Sequence, residues 1–226
     1  MKRFDDAEGP ARVLVVDDHP LLRDGLVQLI SGAPGLVLCG EAADASGTIL
    51  AVDDDPPPDL VILDLMLGNS DGLELIKQIR SLRPGLPILV ISMHDELIYA
   101  ERALRAGASG FVMKKEPQEE VLSAVRTILG GGHHLSGRMR VLLEGKGVTS
   151  DPVQFLVPQA NPPLSDRELH VFRLIGAGLP TREIAVELRL SVKTVETYRE
   201  NLKIKLRLRN AAELLRAAKQ WVAKVK

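Results

Sequence analysis

Three aspartates, one serine and one lysine each stand directly after a short apolar run in the first half of the chain. They are Asp17, Asp18, Asp64, Ser92 and Lys114. If those runs form neighbouring parallel strands, three carboxylates converge, which is unfavourable unless a cation neutralises them. A site built only from oxygen ligands suits Mg²⁺ that keeps some of its water molecules. The residue types therefore predict a Mg²⁺ site at one end of a sheet.

Mg²⁺ beside a carboxylate indicates phosphoryl-transfer chemistry. The metal offsets charge on the incoming phosphoryl oxygens, a carboxylate can act as the nucleophile, and a lysine can stabilise a further oxygen. The sequence holds no glycine-rich phosphate loop, so nucleotide triphosphate binding of the Walker type is not predicted. Acidic Mg²⁺ sites on α/β sheets also serve hydrolytic enzymes. A phosphohydrolase that turns over an added substrate is therefore an alternative.

The first 130 residues alternate short apolar runs with longer segments of helical period, which predicts an α/β fold with a doubly wound, five-stranded parallel sheet. In such a sheet, ligands bind beyond the carboxyl ends of the strands, where the polar residues fall. Each strand is nearly all apolar, as expected when helices cover both faces. The predicted strands are Arg12–Val16, Leu36–Gly40, Asp59–Leu63, Pro87–Ile91 and Gly110–Met113.

A second, all-helical region follows a stretch without sustained period. Three glycines from Gly130 end the last helix of the α/β region, and glycines and prolines continue to Pro163. We expect residues 1–130 to form the first domain, 131–160 a linker and 161–226 a small four-helix domain. Ser165 can cap its first helix, with Glu168 completing a capping box. The predicted helices are Asp166–Gly176, Thr181–Leu188, Val192–Leu206 and Ala211 to about Val225.

Charge is divided between the two halves of the chain. Residues 1–130 hold 12 Lys and Arg against 21 Asp and Glu, a net charge of minus nine, and residues 131–226 hold 17 against 9, a net charge of plus eight. This asymmetry suggests that the C-terminal half meets a polyanion. No apolar run is long enough to cross a bilayer and no signal peptide is evident, so we expect a cytoplasmic protein without a membrane partner. The single cysteine, Cys39, is expected to be a small buried hydrophobe on a strand.

Four sequence motifs in the first half resemble the receiver domain of bacterial response regulators over about residues 11 to 130. They are VVDD ending at Asp18, ILDL around Asp64, IS ending at Ser92 and GASGFVMK ending at Lys114. The resemblance implies a flavodoxin-like fold with Asp64 as the phosphoacceptor. It also implies that Asp17 and Asp18 hold Mg²⁺ with help from Asp64 and the backbone carbonyl of Met66. Ser92 would follow the phosphoryl group and Lys114 would contact it.

Phe111 matches the position of the aromatic switch residue in receiver domains, where a rotamer change reports phosphorylation to the opposite surface. Phenylalanine has no hydroxyl and can be buried without leaving a polar group unsatisfied. A switch at Phe111 must therefore be a change of packing. Lys115 follows Lys114 at a position where many receivers have proline, which leaves the geometry of that peptide bond open.

The C-terminal region resembles the LuxR-type helix-turn-helix, and its pairing with a receiver places the chain near the NarL/FixJ class of response regulators. The sequence reads LSDREL from Leu164, AGLPTREIA from Ala177 and LSVKTVETY from Leu190. Ser191 is expected to cap the recognition helix, so that its N-terminal end can approach phosphates or base edges. The expected packing residues are Ile184, Ala185 and Leu188 on one helix and Val192, Val195 and Leu202 on the next.

Residues outside those packing faces are candidate DNA contacts. Glu196 and Glu200 stand where related regulators often have lysine, so they could accept from cytosine N4 or repel nonspecific DNA. A helical protein-interaction domain is the alternative for this region. The candidates are Arg182, Lys193, Thr194, Glu196, Thr197, Tyr198, Arg199, Glu200, Lys203 and Lys205.

The resemblance implies a transcription factor switched by phosphorylation, with a sensor histidine kinase as phosphoryl donor. Its DNA-binding domain would dimerise after phosphorylation, through part of the final helix, and read two half-sites in double-stranded promoter DNA. It would not be an enzyme beyond its own phosphorylation and dephosphorylation. A regulator that binds DNA without phosphorylation is the second alternative, but the complete pocket argues against it. Four histidines are scattered and predict no metal site: His19, His94, His133 and His134.

Overall fold

The computed structural model describes residues 9–68, 70–93, 96–137, 139, 164–188 and 190–225. The chain divides into two compact units, Met1–Val157 and Pro158–Lys226. His94, Arg189 and most of the predicted linker lie outside the described residues. Among the residues that the structure does describe, no helix is long and apolar enough to span a bilayer.

The first unit contains a five-stranded parallel sheet with strand order β2-β1-β3-β6-β7. Its central strands are apolar and fully buried, which confirms the predicted parallel sheet with both faces covered. Chain order reverses between β1 and β3, which is where ligands bind in open α/β sheets. The strands are β1 (Ala11–Val16), β2 (Leu36–Ala42), β3 (Leu60–Asp64), β6 (Ile88–Ser92) and β7 (Gly110–Met113), with a separate antiparallel pair β4 (Met66–Leu67) and β5 (Ser70–Asp71).

Five helices accompany this sheet. Side chains alternate along each strand, so that Val13 and Val15 pack with Ile62 and Leu89 in one cluster. The same cluster includes Ile30 of the first helix and four residues of the fifth helix. The first and fifth helices therefore cover the same face of the sheet. The helices are α1 (Pro20–Ser31), α2 (Ala45–Val52), α3 (Gly72–Leu82), α4 (Glu96–Ala106) and α5 (Gln118–Leu129).

The observed strands differ from the predicted ones by small shifts that matter for the site. Asp64 and Ser92 are the last residues of β3 and β6, one position inside the strand rather than after it. Backbone pairing of Asp64 with Ile91 and of Ser92 with Met113 holds both residues in the sheet. The expectation for Cys39 is wrong in one respect, because the thiol is only half-buried. β2 is an edge strand, which leaves part of its side chains open to solvent.

The second unit is helical, with α6 (Asp166–Gly176), α7 (Thr181–Glu187), α8 (Val192–Lys205) and α9 (Ala211–Val225). The predicted capping box is present: Ser165 Oγ accepts from Glu168 N at 3.3 Å, and Glu168 Oε2 accepts from Ser165 N at 2.8 Å. α6 packs closely on α9 at Gly176, where the lack of a side chain allows the approach. A Cβ at this position would lie only 2.5 Å from the carbonyl oxygen of Ala218. Phe172 and Trp221 bring their ring centroids to 5.9 Å across the same contact.

The predicted packing faces of the second unit are confirmed with one exception. Ile184, Ala185 and Leu188 on and after α7 are buried, as are Val195 and Leu202 on α8. Val192, however, is 40% exposed. It is the first residue of α8 and follows the N-cap Ser191.

Candidate functional site

The acidic pocket is assembled at the carboxyl ends of β1, β3 and β7. Lys114 Nζ lies 2.6 Å from Asp17 Oδ2 and 2.7 Å from Asp64 Oδ2. All three side chains are at most 5% exposed. The lysine therefore bridges two buried carboxylates that stand on neighbouring strands. The sequence predicted this convergence, because the polar residues follow apolar runs that form parallel strands.

Backbone groups fix the carboxylates in place. Asp17 Oδ1 accepts from the backbone N–H of His19 at 2.8 Å, and Asp64 Oδ1 accepts from that of Met66 at 3.3 Å. Asp18 Oδ2 accepts from the N–H of Gly68 at 2.9 Å, which joins the β1 end to the loop after β3. These N–H donors hold one oxygen of each carboxylate. The other oxygens of Asp17 and Asp64 contact Lys114, and that of Asp18 contacts His19.

The pocket is held together by strong and opposing electrostatic effects. Burial raises the pKa of Asp64, the nearby charge of Lys114 lowers it and Asp17 raises it, so that the pKa changes from 3.8 to about 6 in total. Burial acts to lower the pKa of Lys114, but Asp64 and Asp17 outweigh it and leave the pKa raised. Lys114 is thus held as a cation, and the pocket carries more negative charge than one lysine neutralises.

The donor set fits Mg²⁺. One ligand atom from each of Asp17, Asp18, Asp64 and His19 can be chosen so that all lie within 4.8 Å of one another. Three of these groups are carboxylates, which are the ligands that a hard divalent cation prefers. Met66 follows Asp64 closely and is buried, so its backbone carbonyl stays a predicted ligand. A cation here would relieve the repulsion among the carboxylates.

His19 belongs to the pocket, although in the sequence it is one of four scattered histidines that predict no metal site. Its Nδ1 lies 2.6 Å from Asp18 Oδ1 and 3.4 Å from Asp17 Oδ1. The signal in the sequence was its place directly after the aspartate pair, at the N-cap of α1. The ring orients the Asp18 carboxylate by a hydrogen bond.

The other predicted pocket residues lie along the same edge of the sheet. Ser92 is fully buried at the end of β6, and its carbonyl oxygen accepts from Lys114 N at 2.8 Å. Phe111 is fully buried in β7, where it pairs in register with Val90. The predicted switch residue is therefore packed inside the sheet, without a polar atom that needs a partner.

The helix-turn-helix geometry is present in the second unit. α7 and α8 are in contact, and Leu190 N donates to Ala185 O at 2.8 Å in the connection between them. Ser191 Oγ accepts from Thr194 N at 3.0 Å, which confirms the predicted cap of α8. The N-terminal turn of α8 projects an exposed Lys193. Such a helix end favours an anionic ligand.

The candidate DNA contacts fall into two groups by exposure. Arg182, Lys193, Glu196, Thr197 and Glu200 are exposed on α7 and α8. Thr194, Tyr198, Arg199 and Lys203 are half-buried, and Lys205 is exposed but paired.

Two of these lysines bind acidic groups of the same unit. Lys203 Nζ lies 2.8 Å from Glu200 Oε1, and Lys205 Nζ lies 2.7 Å from Glu168 Oε2. The Glu168 side chain is only 4% exposed. Lys205 thus joins the end of α8 to the capping box of α6, a role that sequence reasoning missed because the two residues are 37 positions apart.

Two protein families match this chain. Residues 13–126 match the family described as response regulator receiver domain, and residues 162–218 match the family described as bacterial regulatory proteins, luxR family. The two matches fall on the two structural units in that order.

Similar proteins include several transcriptional regulators. Fimbriae Z protein of Salmonella typhimurium is 34% identical over 217 residues, which cover 93% of this chain and 97% of that protein. The nitrate/nitrite response regulator NarL of Escherichia coli is 33% identical over 221 residues, which cover 94% and 95%. The virulence-factor regulator BvgA of Bordetella pertussis, named as a putative positive transcription regulator, is 34% identical over 210 residues, which cover 92% and 97%.

Solved structures show the same resemblance. A LuxR-family two-component response regulator from Aurantimonas sp. superposes with a TM-score of 0.57 and 34% identity, covering 62% of this chain and all of that one. A structure of two RcsB dimers bound to two parallel DNAs superposes with a TM-score of 0.55 and 25% identity, covering 92% and 97%.

Proposed function

Because the chain belongs to the two-component response regulators that join a receiver domain to a LuxR-type helix-turn-helix, the NarL/FixJ class, we propose that phosphorylation of Asp64 controls DNA binding by its C-terminal unit. The observation that carries the proposal is the contact of Lys114 Nζ with Asp64 Oδ2 at 2.7 Å, inside a pocket of further carboxylates. A buried carboxylate can accept a phosphoryl group whose added charge is offset by the adjacent lysine together with a divalent cation held by the other carboxylates.

The proposed reaction is an in-line transfer to the Asp64 side chain. An oxygen of the Asp64 carboxylate attacks the phosphorus of a phosphohistidine. The new P–O bond forms as the P–N bond breaks, and the leaving imidazole takes its proton from water. Lys114 stays near the phosphoryl oxygens because its ammonium is already held within hydrogen-bond distance of Asp64.

Asp17, Asp18 and Asp64 would hold Mg²⁺, with the Met66 carbonyl as a further ligand. When bound, the metal would neutralise phosphoryl charge and bind one of its oxygens. Backbone N–H groups of His19 and Gly68 hold the carboxylates of Asp17 and Asp18 in place for this role. His19 fixes the Asp18 carboxylate by its hydrogen bond.

Phosphorylation would affect the second unit through a change of side-chain packing in the receiver unit. Ser92, at the end of β6, would turn toward the phosphoryl group, and the space it leaves would let Phe111 change rotamer within the buried sheet edge. The second unit would then bind duplex DNA with α8 in the major groove, from candidate contacts that include Lys193, Thr197 and Arg199. Two copies would dimerise and read two half-sites.

The wider organisation is part of the same proposal. We propose residues 1–130 as the receiver domain, 131–160 as the linker and 161–226 as the DNA-binding domain. The phosphoryl donor would be a sensor histidine kinase, and the reaction would act on the chain itself rather than on an added substrate. Promoter DNA and the kinase phosphohistidine both lie in the bacterial cytoplasm, so we propose that location.

The chemistry is tested by intact mass after incubation with Mg²⁺ and acetyl phosphate. We expect one phosphoryl adduct, absent from Asp64→Ala and retained by Asp24→Ala, whose carboxylate is exposed on α1. An adduct on Asp64→Ala would show that the acceptor is a different residue. Sustained hydrolysis of p-nitrophenyl phosphate, lost in Asp64→Ala, would instead support a phosphohydrolase.

The control of DNA binding is tested on the same samples. A duplex is selected from a pool of randomised DNA by the phosphorylated protein, and its dissociation constant is measured with and without the donor. We expect tighter binding with the donor for the unaltered chain and no change for Asp64→Ala. Strong binding that ignores the donor would support a regulator that works without phosphorylation.

A further inference from the structure

The segment after α5 is docked on the edge of the sheet. We call residues His133–Ser136 the strap. His134 N donates to Ser109 O at 3.1 Å and Phe111 N donates to His134 O at 3.1 Å, so the strap pairs in parallel with β7. His134 and Leu135 are buried, as is Met139 beyond them. The start of the predicted linker therefore extends the sheet beside β7.

Gly110 makes room for the strap. A Cβ at this position would lie 2.9 Å from His134 O and 3.1 Å from His134 Cβ, and 2.8 Å from Ile128 Cδ1 on α5. Its backbone φ is not in the left-handed region, so the glycine is required by space rather than by its own conformation. Any side chain at position 110 would push the strap away from β7.

Side chains join the strap to two helices as well. Ser136 Oγ donates to Glu96 Oε2 at 2.6 Å, at the first residue of α4, and Glu96 is buried. His134 Nε2 lies 3.0 Å from Glu120 Oε1 on α5. The strap thus contacts α4 through Ser136, and β7 and α5 through His134, with the backbone N–H of Phe111 among its donors.

We propose that the strap is the element that passes the state of Phe111 to the chain beyond the receiver unit, docked on β7 before phosphorylation and loosened after it. The inference rests on the proposed function, because it needs phosphorylation of Asp64. Phe111 is the one residue of β7 whose side chain is the predicted switch and whose own N–H binds the strap. A repacking that shifts Phe111 or the start of α4 changes the backbone and side-chain bonds that hold the strap. The chain toward the second unit begins at this strap.

Hydrogen exchange of two amides measures the docking. The amides of His134 and Phe111 are both donors in the strap pairing, so both exchange slowly while the strap is docked. In the full chain we expect both amides to exchange faster after acetyl phosphate and Mg²⁺ are added. Unchanged or slower exchange in a fully phosphorylated sample would overturn the proposal.

Variants separate the strap from the phosphorylation site. Gly110→Ala should release the strap without a donor, while phosphorylation of Asp64 by intact mass is retained and DNA affinity no longer responds to the donor. Gly85→Ala is the matched control, because a Cβ there meets nothing within 4 Å. Ser136→Ala removes the bond that Ser136 Oγ donates to Glu96 Oε2 and the bond that it accepts from Met139 N. It should speed exchange of the His134 amide roughly fivefold or more, since one net hydrogen bond has about that effect. Ser123→Ala, exposed on α5, is its control.

The two proposals fail in different ways. If the unaltered chain takes up no phosphoryl group, or binds DNA equally with and without the donor, the proposed function is wrong. If the unaltered chain switches and both Gly110→Ala and Ser136→Ala switch equally well, the role of the strap is wrong. Should Gly110→Ala fail to fold, the exchange and DNA response of Ser136→Ala decide the question.

Discussion

The Nζ of Lys114 lies 2.7 Å from Oδ2 of Asp64, although the two residues are 50 positions apart in the sequence. The contact exists because β3 and β7 run parallel in one sheet and end at the same edge. It places a buried cation beside the carboxylate that we propose as the phosphoacceptor. The same ammonium also contacts Asp17, so one lysine balances two carboxylates.

Replacing Lys114 tests whether its charge serves the reaction. Lys114→Ala should slow phosphorylation of Asp64 by acetyl phosphate by about a hundredfold, because a cation that stabilises phosphoryl oxygens is lost. The rate of adduct formation by intact mass measures this. Lys115→Ala, at the exposed neighbouring position, should leave the rate unchanged. Equal rates for both variants would remove Lys114 from the reaction.

Asp64 should destabilise the metal-free fold at neutral pH. Burial raises its pKa to about 6, so the folded protein retains a proton between about pH 4 and 6 that the unfolded chain has already lost. The free energy of unfolding therefore falls as pH rises through this window. Asp64→Asn has no charge to bury and should raise the stability of the metal-free protein by about 3 kcal/mol at pH 8.

Thermal unfolding in the presence of EDTA measures this effect. The gain from Asp64→Asn should shrink as the pH is lowered from about 6 to 4 and disappear at lower pH, where the unaltered carboxyl is protonated in both states. Asp24→Asn, at an exposed position, should show no gain at any pH. A destabilised Asp64→Asn at pH 8 would contradict the electrostatic account of the pocket.

Glu168 should be a main stabilising residue of the helix-turn-helix unit. Its buried carboxylate accepts from Ser165 N at 2.8 Å and from Lys205 Nζ at 2.7 Å. Glu168→Ala should lower the stability of this unit by about 1–3 kcal/mol, from loss of the cap and of a buried charged bond. Unfolding followed by the fluorescence of Trp221 measures it. Glu183→Ala, exposed in the first turn of α7, should lower stability far less.

Lys193 should contact a DNA phosphate. It is exposed in the first turn of α8, where the helix end also attracts anions. Lys193→Ala should weaken DNA binding and reduce the slope of log K against log salt by about one. Lys77→Ala makes the same charge change on α3 of the receiver unit and should leave the slope as it was. An unaltered slope for Lys193→Ala would show that Lys193 does not contact a DNA phosphate.

Much of the fold and the pocket followed from local sequence patterns. Parallel strands bring their carboxyl ends to one edge, so Asp17, Asp64 and Lys114 could be placed together once the apolar runs were recognised as strands. Capping by Ser165 and Ser191 followed from residue types at fixed spacing, because a cap is made within one turn. These features depend on neighbours in sequence or on the periodicity of a sheet.

Features that depend on the relative position of distant segments could not be predicted. The bond of Lys205 to Glu168 needs the packing of α8 on α6, and the exposure of Cys39 needs β2 to be an edge strand. Docking of the strap on β7 depends on the absence of a side chain at Gly110, and no local sequence pattern predicts that close approach. His19 was missed because its ring position depends on the turn between β1 and α1.

DNA affinity measured against the phosphorylated fraction of Asp64 tests the central claim most directly. A sample phosphorylated with acetyl phosphate and Mg²⁺ is freed of donor, and intact mass and the dissociation constant for a selected duplex are followed together as the adduct decays. We predict that affinity falls in step with the phosphorylated fraction and ends at the value of Asp64→Ala. Affinity that stays constant while the adduct disappears would contradict the account.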